Sequence, residues 1–399
     1  MDTAPRPLDG VLVADFSRVV AGPMVATILG DLGATVIKVE RPGTGDDTRS
    51  WGPPWIDLDG EATSTYYLGI NRGKRSVQLD LRDAADLDAA QRLADRADVL
   101  VENFKPGTLD RVGLGWPACA ARNPRLVYCT ILGFGDEGTA AEMPGYDLLA
   151  QAASGLMSIT GEAEGRPLKT GVAVVDVLTA LYATIGVTSA LAARAATGHG
   201  ERVRVSLIDA AMAALLNQGS AAAMAGVTPT RGGNDHPSIA PYSTYTAADR
   251  DFVIACGNDS QFAGLAAAVA PSLADDERFA SNASRVAHRR ELDRLLHDAL
   301  ATQPADHWIA ALRAAGVPAG PINTIPEAFE LLAGLGLAPV EPTASAHGTV
   351  VPTVRSPIRL GDGNFEPDPG AHPRSASPRL GADDAWFREW LDQPPPGAP

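Results

Sequence analysis

The opening forty residues commit the chain to a parallel sheet. Residues 11–16 (Val-Leu-Val-Ala-Asp-Phe) read as a buried strand, a helix is predicted over about 23–32 with Gly33 as its stop, and residues 35–40 form the next strand. Two strands joined through a helix make a β-α-β unit, whose strands lie parallel and whose crossover is right-handed. The pattern then recurs. Residues 74–81 alternate as a strand and lead into a helix over about 84–97, and residues 99–103 are another strand, ending in the turn Asn103-Phe104-Lys105-Pro106-Gly107. A further strand at 126–131 follows the Asn123-Pro124 breaker. Four or five alternations of this kind predict an open, doubly wound α/β sheet.

At 399 residues the chain exceeds one ordinary core, so a second domain is expected. A strand at 202–206 and a helix over 207–225 precede a change of character at Gly226-Val227-Thr228-Pro229. The next hundred residues, with a short β run at 252–256 and helices near 260–270 and 289–302, read as a separate α+β domain. Beyond an irregular exit at 316–322, the Pro- and Gly-rich C-terminal region has short strands such as 349–351, a helix at 385–391, and a tail, residues 394–399, expected to be disordered.

A net charge of −15 argues against nucleic acid and anionic membranes as partners, since both select a positive field. An anionic ligand must then be held by local cations and backbone N–H groups. Three widely spaced cysteines, Cys119, Cys129 and Cys256, give neither a disulfide framework nor metal-ligand spacing, so no metal site is expected. The N-terminus lacks the features of a signal peptide, and no uninterrupted apolar run reaches membrane-spanning length; a soluble, cytoplasmic protein is the expectation.

Two stretches bear on chemistry. Residues 133–138 (Gly-Phe-Gly-Asp-Glu-Gly) have the glycine spacing of a dinucleotide fingerprint, but Asp136 and Glu137 would face the pyrophosphate and no helix pattern begins there. Asp176 closes an extended run, 169–175, and stands before an Ala-rich helical stretch ending at Gly198. By position alone it is a helix N-cap, whose carboxylate the first N–H groups would keep ionised.

Taken together, several blocks resemble the class III CoA-transferases, the formyl-CoA and carnitine CoA-transferase group that also includes α-methylacyl-CoA racemases. They are Asp15-Phe16-Ser17-Arg18-Val19-Val20-Ala21-Gly22-Pro23, Gly30-Asp31-Leu32-Gly33-Ala34 through Lys38-Val39-Glu40-Arg41-Pro42-Gly43, Lys74-Arg75-Ser76, Val101-Glu102-Asn103-Phe104-Lys105-Pro106-Gly107, Pro144-Gly145-Tyr146-Asp147 and the stretch ending at Asp176. The resemblance implies a large Rossmann-like domain built from residues 1–205 and 326–399, a linker helix and small α+β domain at 206–325, and an interlocked homodimer. It implies acyl-CoA and carboxylate substrates with no permanently bound cofactor. It also implies that Asp176 is the nucleophile and that CoA contacts fall on Val20, Ala21, Arg41, Leu79, Asp80, Leu81, Arg82, Asn103, Phe104, Lys105, Arg111, Tyr146 and Asp147. Arginine and lysine at these positions suit phosphates, and Phe104 and Leu79 offer apolar surface.

Within that resemblance, Val20 stands where formyl-CoA transferases carry glutamine, which turns the expectation away from formate and oxalate. The block His236-Pro237-Ser238-Ile239-Ala240-Pro241-Tyr242 looks like the succinyl-CoA:glutarate branch. Gly232, Gly233 and His236 are substrate-site candidates, with Arg231-Gly232-Gly233-Asn234 as a source of oxyanion N–H donors; a structural role for His236 stays open. Two other readings remain: a racemase or epimerase of the same superfamily, and a non-catalytic CoA-binding protein. The racemase base falls on Tyr146, a phenol of ordinary pKa near ~10 and a poor base at neutrality.

Overall fold

Six strands form one sheet: β1 (Leu12–Asp15), β2 (Thr35–Glu40), β3 (Arg75–Gln78), β4 (Val99–Glu102), β5 (Val127–Leu132) and β6 (Arg202–Ser206), all parallel, in the order β3-β2-β1-β4-β5-β6. The computed structural model describes residues 6–360 and 375–394, so all but the first residue of the tail expected at 394–399 lies outside the described residues. Strand order reverses between β1 and β4, which opens a crevice at their C-terminal ends, where ligands bind in sheets of this type.

Both faces of the sheet are covered, and the period of two explains how. Val13, Val36 and Val99 enter one apolar cluster with helices α1 (Ala21–Asp31) and α3 (Val174–Thr197); their neighbours Ala14, Ile37 and Leu100 enter the other, with α2 (Ala84–Arg96) and the C-terminal helix Asp384–Asp392. α3 is long and apolar enough to cross a membrane by length and composition. Its buried residues Val175, Ala180, Ala183 and Val187 belong to the cluster under the sheet, whereas its apolar Leu181, Tyr182 and Ile185 are exposed.

The C-terminal helix also closes an edge. Outward-facing N–H groups of β3 donate to carboxylates rather than to a strand: Ser76 N to Asp383 Oδ2 at 2.9 Å and Gln78 N to Asp384 Oδ1 at 2.7 Å. Arg75 pairs with Asp383 at 2.7 Å and lies over the Trp386 ring. An open strand edge, a template for wrong pairing, is thereby covered.

The chain divides into two compact units, residues 1–156, 170–225 and 332–399 in the first and 157–169 and 226–331 in the second. The second holds an antiparallel sheet of Tyr242–Thr246, Asp251–Ala255 and Ala319–Pro321 over a core that includes Phe252, Phe279, Leu296 and Trp308. Several local expectations change. Residues 169–173 are irregular, not a strand, and α3 starts at Val174. The single helix expected over 207–225 is two, Leu207–Ala214 and Leu216–Ala225, broken where Leu216 takes φ +42°; both lie in the first unit. The strand expected at 349–351 is Val350–Val354, paired with Val340–Ala344.

Charged groups sit beneath the crevice. Lys38 of β2 contacts Asp46 at 2.9 Å and Asp15 at 3.9 Å and donates to the Ser17 carbonyl; Lys74 contacts Asp15 at 2.8 Å and donates to the Pro23 carbonyl and Asn71 Oδ1. All four side chains are fully buried. Burial pulls the Asp15 carboxyl up, but Lys74 and Lys38 outweigh it and hold it below the ordinary range; for Lys74 burial wins and lowers the amine to about 8. Two positive and two negative charges make a balanced set, and removing one member strands its partner. Replacing Asp46 by Ala is therefore expected to destabilise the first unit by about 3–5 kcal/mol, measured by urea unfolding; a loss below about 1 kcal/mol contradicts the balanced-set account.

Candidate active site

Two adjoining cavities occupy the crevice. The larger, about 550 Å³, is reached by Arg18 after β1, Arg41 after β2, Leu79–Arg82 after β3, and Phe104 and Arg111 beyond β4. The smaller, about 220 Å³, is lined by Val20, Ala21, Asn103, Phe104, Lys105, Tyr146, Asp147 and Asp176. Every site residue expected within the first unit thus lines one cavity or the other, and Arg18 and Phe104 line both. Four guanidinium groups, Arg18, Arg41, Arg82 and Arg111, face the larger cavity. In a chain of net charge −15 this is the local positive field an anionic ligand needs. Arg82 is held by its own neighbour Asp80 through two bonds, at 2.9 and 2.8 Å.

The walls are set by backbone geometry. Asn103 accepts from Arg18 N at 2.9 Å and donates to the Arg18 carbonyl at 2.7 Å, which stitches the loop after β1 to the turn after β4. Glu102 supports that turn by accepting from Phe104 N at 2.9 Å; burial raises its carboxyl to about 7. Val19, between these contacts, has φ +70°, a conformation β-branched residues rarely adopt, and its N–H points at both oxygens of Asp46. Across the smaller cavity, Gly133 and Gly145 touch backbone to backbone. A Cβ on Gly133 would lie 2.5 Å from the Gly145 Cα, so neither position admits a side chain without parting the loops.

Asp176 is the third residue of α3, and the cap expected of it belongs to Asp147. One oxygen of Asp147 accepts from Val175 N at 2.8 Å and from Asp176 N at 3.3 Å. Gln151 fixes the other oxygen at 2.6 Å, and Thr170 N donates to Gln151 at 3.0 Å. Among the described residues no group donates to the Asp176 carboxylate. Burial, and then repulsion from Asp147, raise its pKa to about 7. The sequence expectation of a helix end keeping Asp176 ionised is therefore reversed, because the first N–H groups of the helix already serve Asp147. Sequence reading missed Arg18 as a site residue, although it lay inside one of the blocks that carry the resemblance.

Gly232, Gly233 and His236 belong to the second unit. Gly233 has φ +61° and its N–H donates to the Gly161 carbonyl at 3.1 Å, so it is not an available oxyanion donor. Arg231 holds the Ser158 and Gly165 carbonyls. His236 accepts from Ser238 N through Nδ1 at 3.1 Å, and its ring lies 5.3 Å from that of Tyr242, contacts that organise the loop.

The family model described as CoA-transferase family III matches residues 8–384. The chain is 42% identical to the succinate–glutarate CoA-transferase of Agrobacterium fabrum, over 88% of this chain and 89% of that protein. It is also 42% identical to the acetyl-CoA:oxalate CoA-transferase of Acetobacter aceti, over 82% and 83%. A crystal structure of a CAIB/BAIF family protein from Brucella suis superposes with a TM-score of 0.85 at 43% identity, covering 98% of this chain and all of that one.

A partly buried carboxylate with a raised pKa works against the fold. Below the unfolded pKa of about 3.8 the Asp176 carboxyl is protonated in both states; as pH rises towards 7 the unfolded chain ionises first, and stability falls. Asp176→Asn removes this cost. The variant is expected to be more stable than wild type by about 2–4 kcal/mol at pH 8, with the difference shrinking towards pH 4. Urea unfolding at both pH values measures it, and equal stabilities at pH 8 refute the raised pKa.

Proposed function

The chain belongs to CoA-transferase family III, and on that premise we propose that it moves CoA from an acyl-CoA donor to a carboxylic acid through covalent intermediates on Asp176. The observation carrying this reading is a partly buried carboxylate that, among the described residues, accepts no hydrogen bond and lines a small cavity adjoining an arginine-lined one. In this reading the larger cavity takes the nucleotide end of CoA, with Arg18, Arg41, Arg82 and Arg111 facing its phosphates and Leu79 and Phe104 its apolar surface. The thioester then extends past Phe104 towards Asp176.

The reaction balances in four displacements without net proton transfer. An Asp176 oxygen attacks the donor's acyl carbon, the C–S bond breaks, and CoA leaves as thiolate, giving a mixed anhydride. The thiolate attacks the aspartyl carbon and the donor acid departs, leaving an aspartyl-CoA thioester. The acceptor's carboxylate attacks that thioester carbon and expels the thiolate to form a second anhydride. Attack of the thiolate on the acceptor's acyl carbon yields the new acyl-CoA and frees Asp176. Each intermediate is open to hydrolysis, so water must be excluded from the small cavity. A carboxyl group titrating near 7 is substantially ionised at neutral pH and so serves as a nucleophile there. The racemase alternative requires a base at Tyr146, which is 61% exposed and a phenol, and nothing at that position favours it.

For substrates, the relative named for succinate and glutarate supports a dicarboxylate acyl group, and the relative named for oxalate returns the shortest dicarboxylate to the panel that Val20 had moved aside. For assembly, we read the protein as an interlocked homodimer. Support comes from large apolar side chains exposed on helices of the first unit, Leu181, Tyr182 and Ile185 on α3 and Leu216 and Met224 further on, which a second copy would cover. Cys119, Cys129 and Cys256 are buried and free, in keeping with a reducing cytoplasm.

Incubation with succinyl-CoA and hydroxylamine is expected to leave a hydroxamate on Asp176, found by peptide mass spectrometry, and Asp176→Ala is expected to abolish exchange between succinyl-CoA and glutarate, oxalate or other acids. Undiminished transfer by Asp176→Ala would sink the mechanism.

A further inference from the structure

The two cavities meet at Arg18, and the way its guanidinium is held differs from the other ion pairs near the crevice. Its main chain is fixed on both sides by Asn103. The guanidinium itself has loose tethers: the face of Phe104, 5.5 Å from the ring centroid, and one oxygen of Asp47 at 3.4 Å. The other oxygen of Asp47 lies 3.5 Å from Arg41. One carboxylate, 43% exposed, therefore lies between two half-exposed guanidinium groups that face the larger cavity. Pairs with a structural task in the same loop are shorter and buried, as Lys38–Asp46 at 2.9 Å and Arg49–Glu40 at 2.7 Å. Asp47 has little freedom to tighten its contacts. The Asp46 side chain before it is locked by Lys38 and accepts from Thr48 N, which fixes the short helical turn Asp47–Ser50.

We propose that Asp47 competes with ligand phosphate for the Arg18–Arg41 pair, so that binding of CoA displaces it and this carboxylate sets the affinity of the site downwards. The inference rests on the CoA-transfer reading above. Its chemistry is that of two guanidinium groups choosing between anions. A carboxylate reaching each through one long contact offers one shared charge, whereas a phosphoryl group carries more charge and more acceptor oxygens and can address both forks at bonding distance. The placement also explains why a chain already at −15 keeps another acid between two arginines of the larger cavity: a site that must release CoA-bearing product as readily as it takes substrate gains from a built-in competitor.

Calorimetric titration of CoA into the full-length protein tests it. Asp47→Asn is expected to bind CoA about threefold to tenfold tighter at low ionic strength, with the gain shrinking in about 0.5 M salt, while Arg18→Gln binds at least about tenfold more weakly. Asp306→Asn, which makes the same charge change at an exposed position in the second unit, is expected to match wild type. Unchanged or weaker binding by Asp47→Asn would mean that Asp47 organises the arginines rather than competing for them, and overturns the inference. An equal gain from Asp306→Asn overturns it as well, by reducing the effect to net charge. Failure of the wild-type protein to bind CoA removes the CoA-transfer reading itself, whereas wild-type binding with no gain in Asp47→Asn removes this inference alone.

Discussion

The buried contact between Lys38 and Asp46 is what the crevice depends on. Lys38 extends from the second strand of the sheet, and Asp46 belongs to the loop that follows that strand. Neither tolerates isolation in a dry interior, so each compels the other's position, and Asp15 and Lys74 complete the neutral set. The consequences propagate outward. Asp46 also receives the N–H of Val19, which holds that residue in a left-handed conformation and sets the path of the loop leading to Val20 and Ala21. Asn103 then ties the same loop to the neighbouring turn. The shape of both cavities follows from electrostatic necessity one layer below them.

This arrangement keeps two kinds of charge apart. The charges that build the site are buried and balanced, whereas Arg18 and Arg41, which face the larger cavity, are half-exposed and share one carboxylate through long contacts. Asp176 belongs to neither group. It is partly buried with neither a cation nor a donor on it among the described residues, and the neighbouring Asp147 raises its pKa further. Stability is given up at this position, a pattern expected where a carboxylate's task is to react rather than to brace.

Much of the sheet was legible because most strands are short apolar runs, bounded by explicit breaks such as Gly33 and Asn123-Pro124, and residues 74–81 show strand alternation. Local pattern failed where a distant residue outranked a near one. The helix carrying Asp176 is capped by Asp147, 28 and 29 residues before the N–H groups it serves, so the sequence next to the helix assigned the cap to the wrong acid. Residues 42–49 read as a polar loop, and nothing local distinguishes Asp46, buried to 2% exposure, from Asp47 beside it. Asp176 and the CoA-contact residues taken from the family resemblance fall on two adjoining cavities, whereas Gly232, Gly233 and His236 do not, and the position of Arg18 in both cavities depends on loop paths that no periodicity encodes.

The seal on the edge of the sheet has a consequence for how the protein is made. The third strand is complete once residue 78 is synthesised, but the aspartates that cover its outer N–H groups come about 306 residues later. At about 5–20 residues per second, the nascent chain carries an uncovered strand for roughly 15–60 s on the ribosome. During synthesis the N-terminal half is therefore most exposed to mispairing while its own structure is nearly finished, and a chain terminated before Asp383 would keep that exposure permanently.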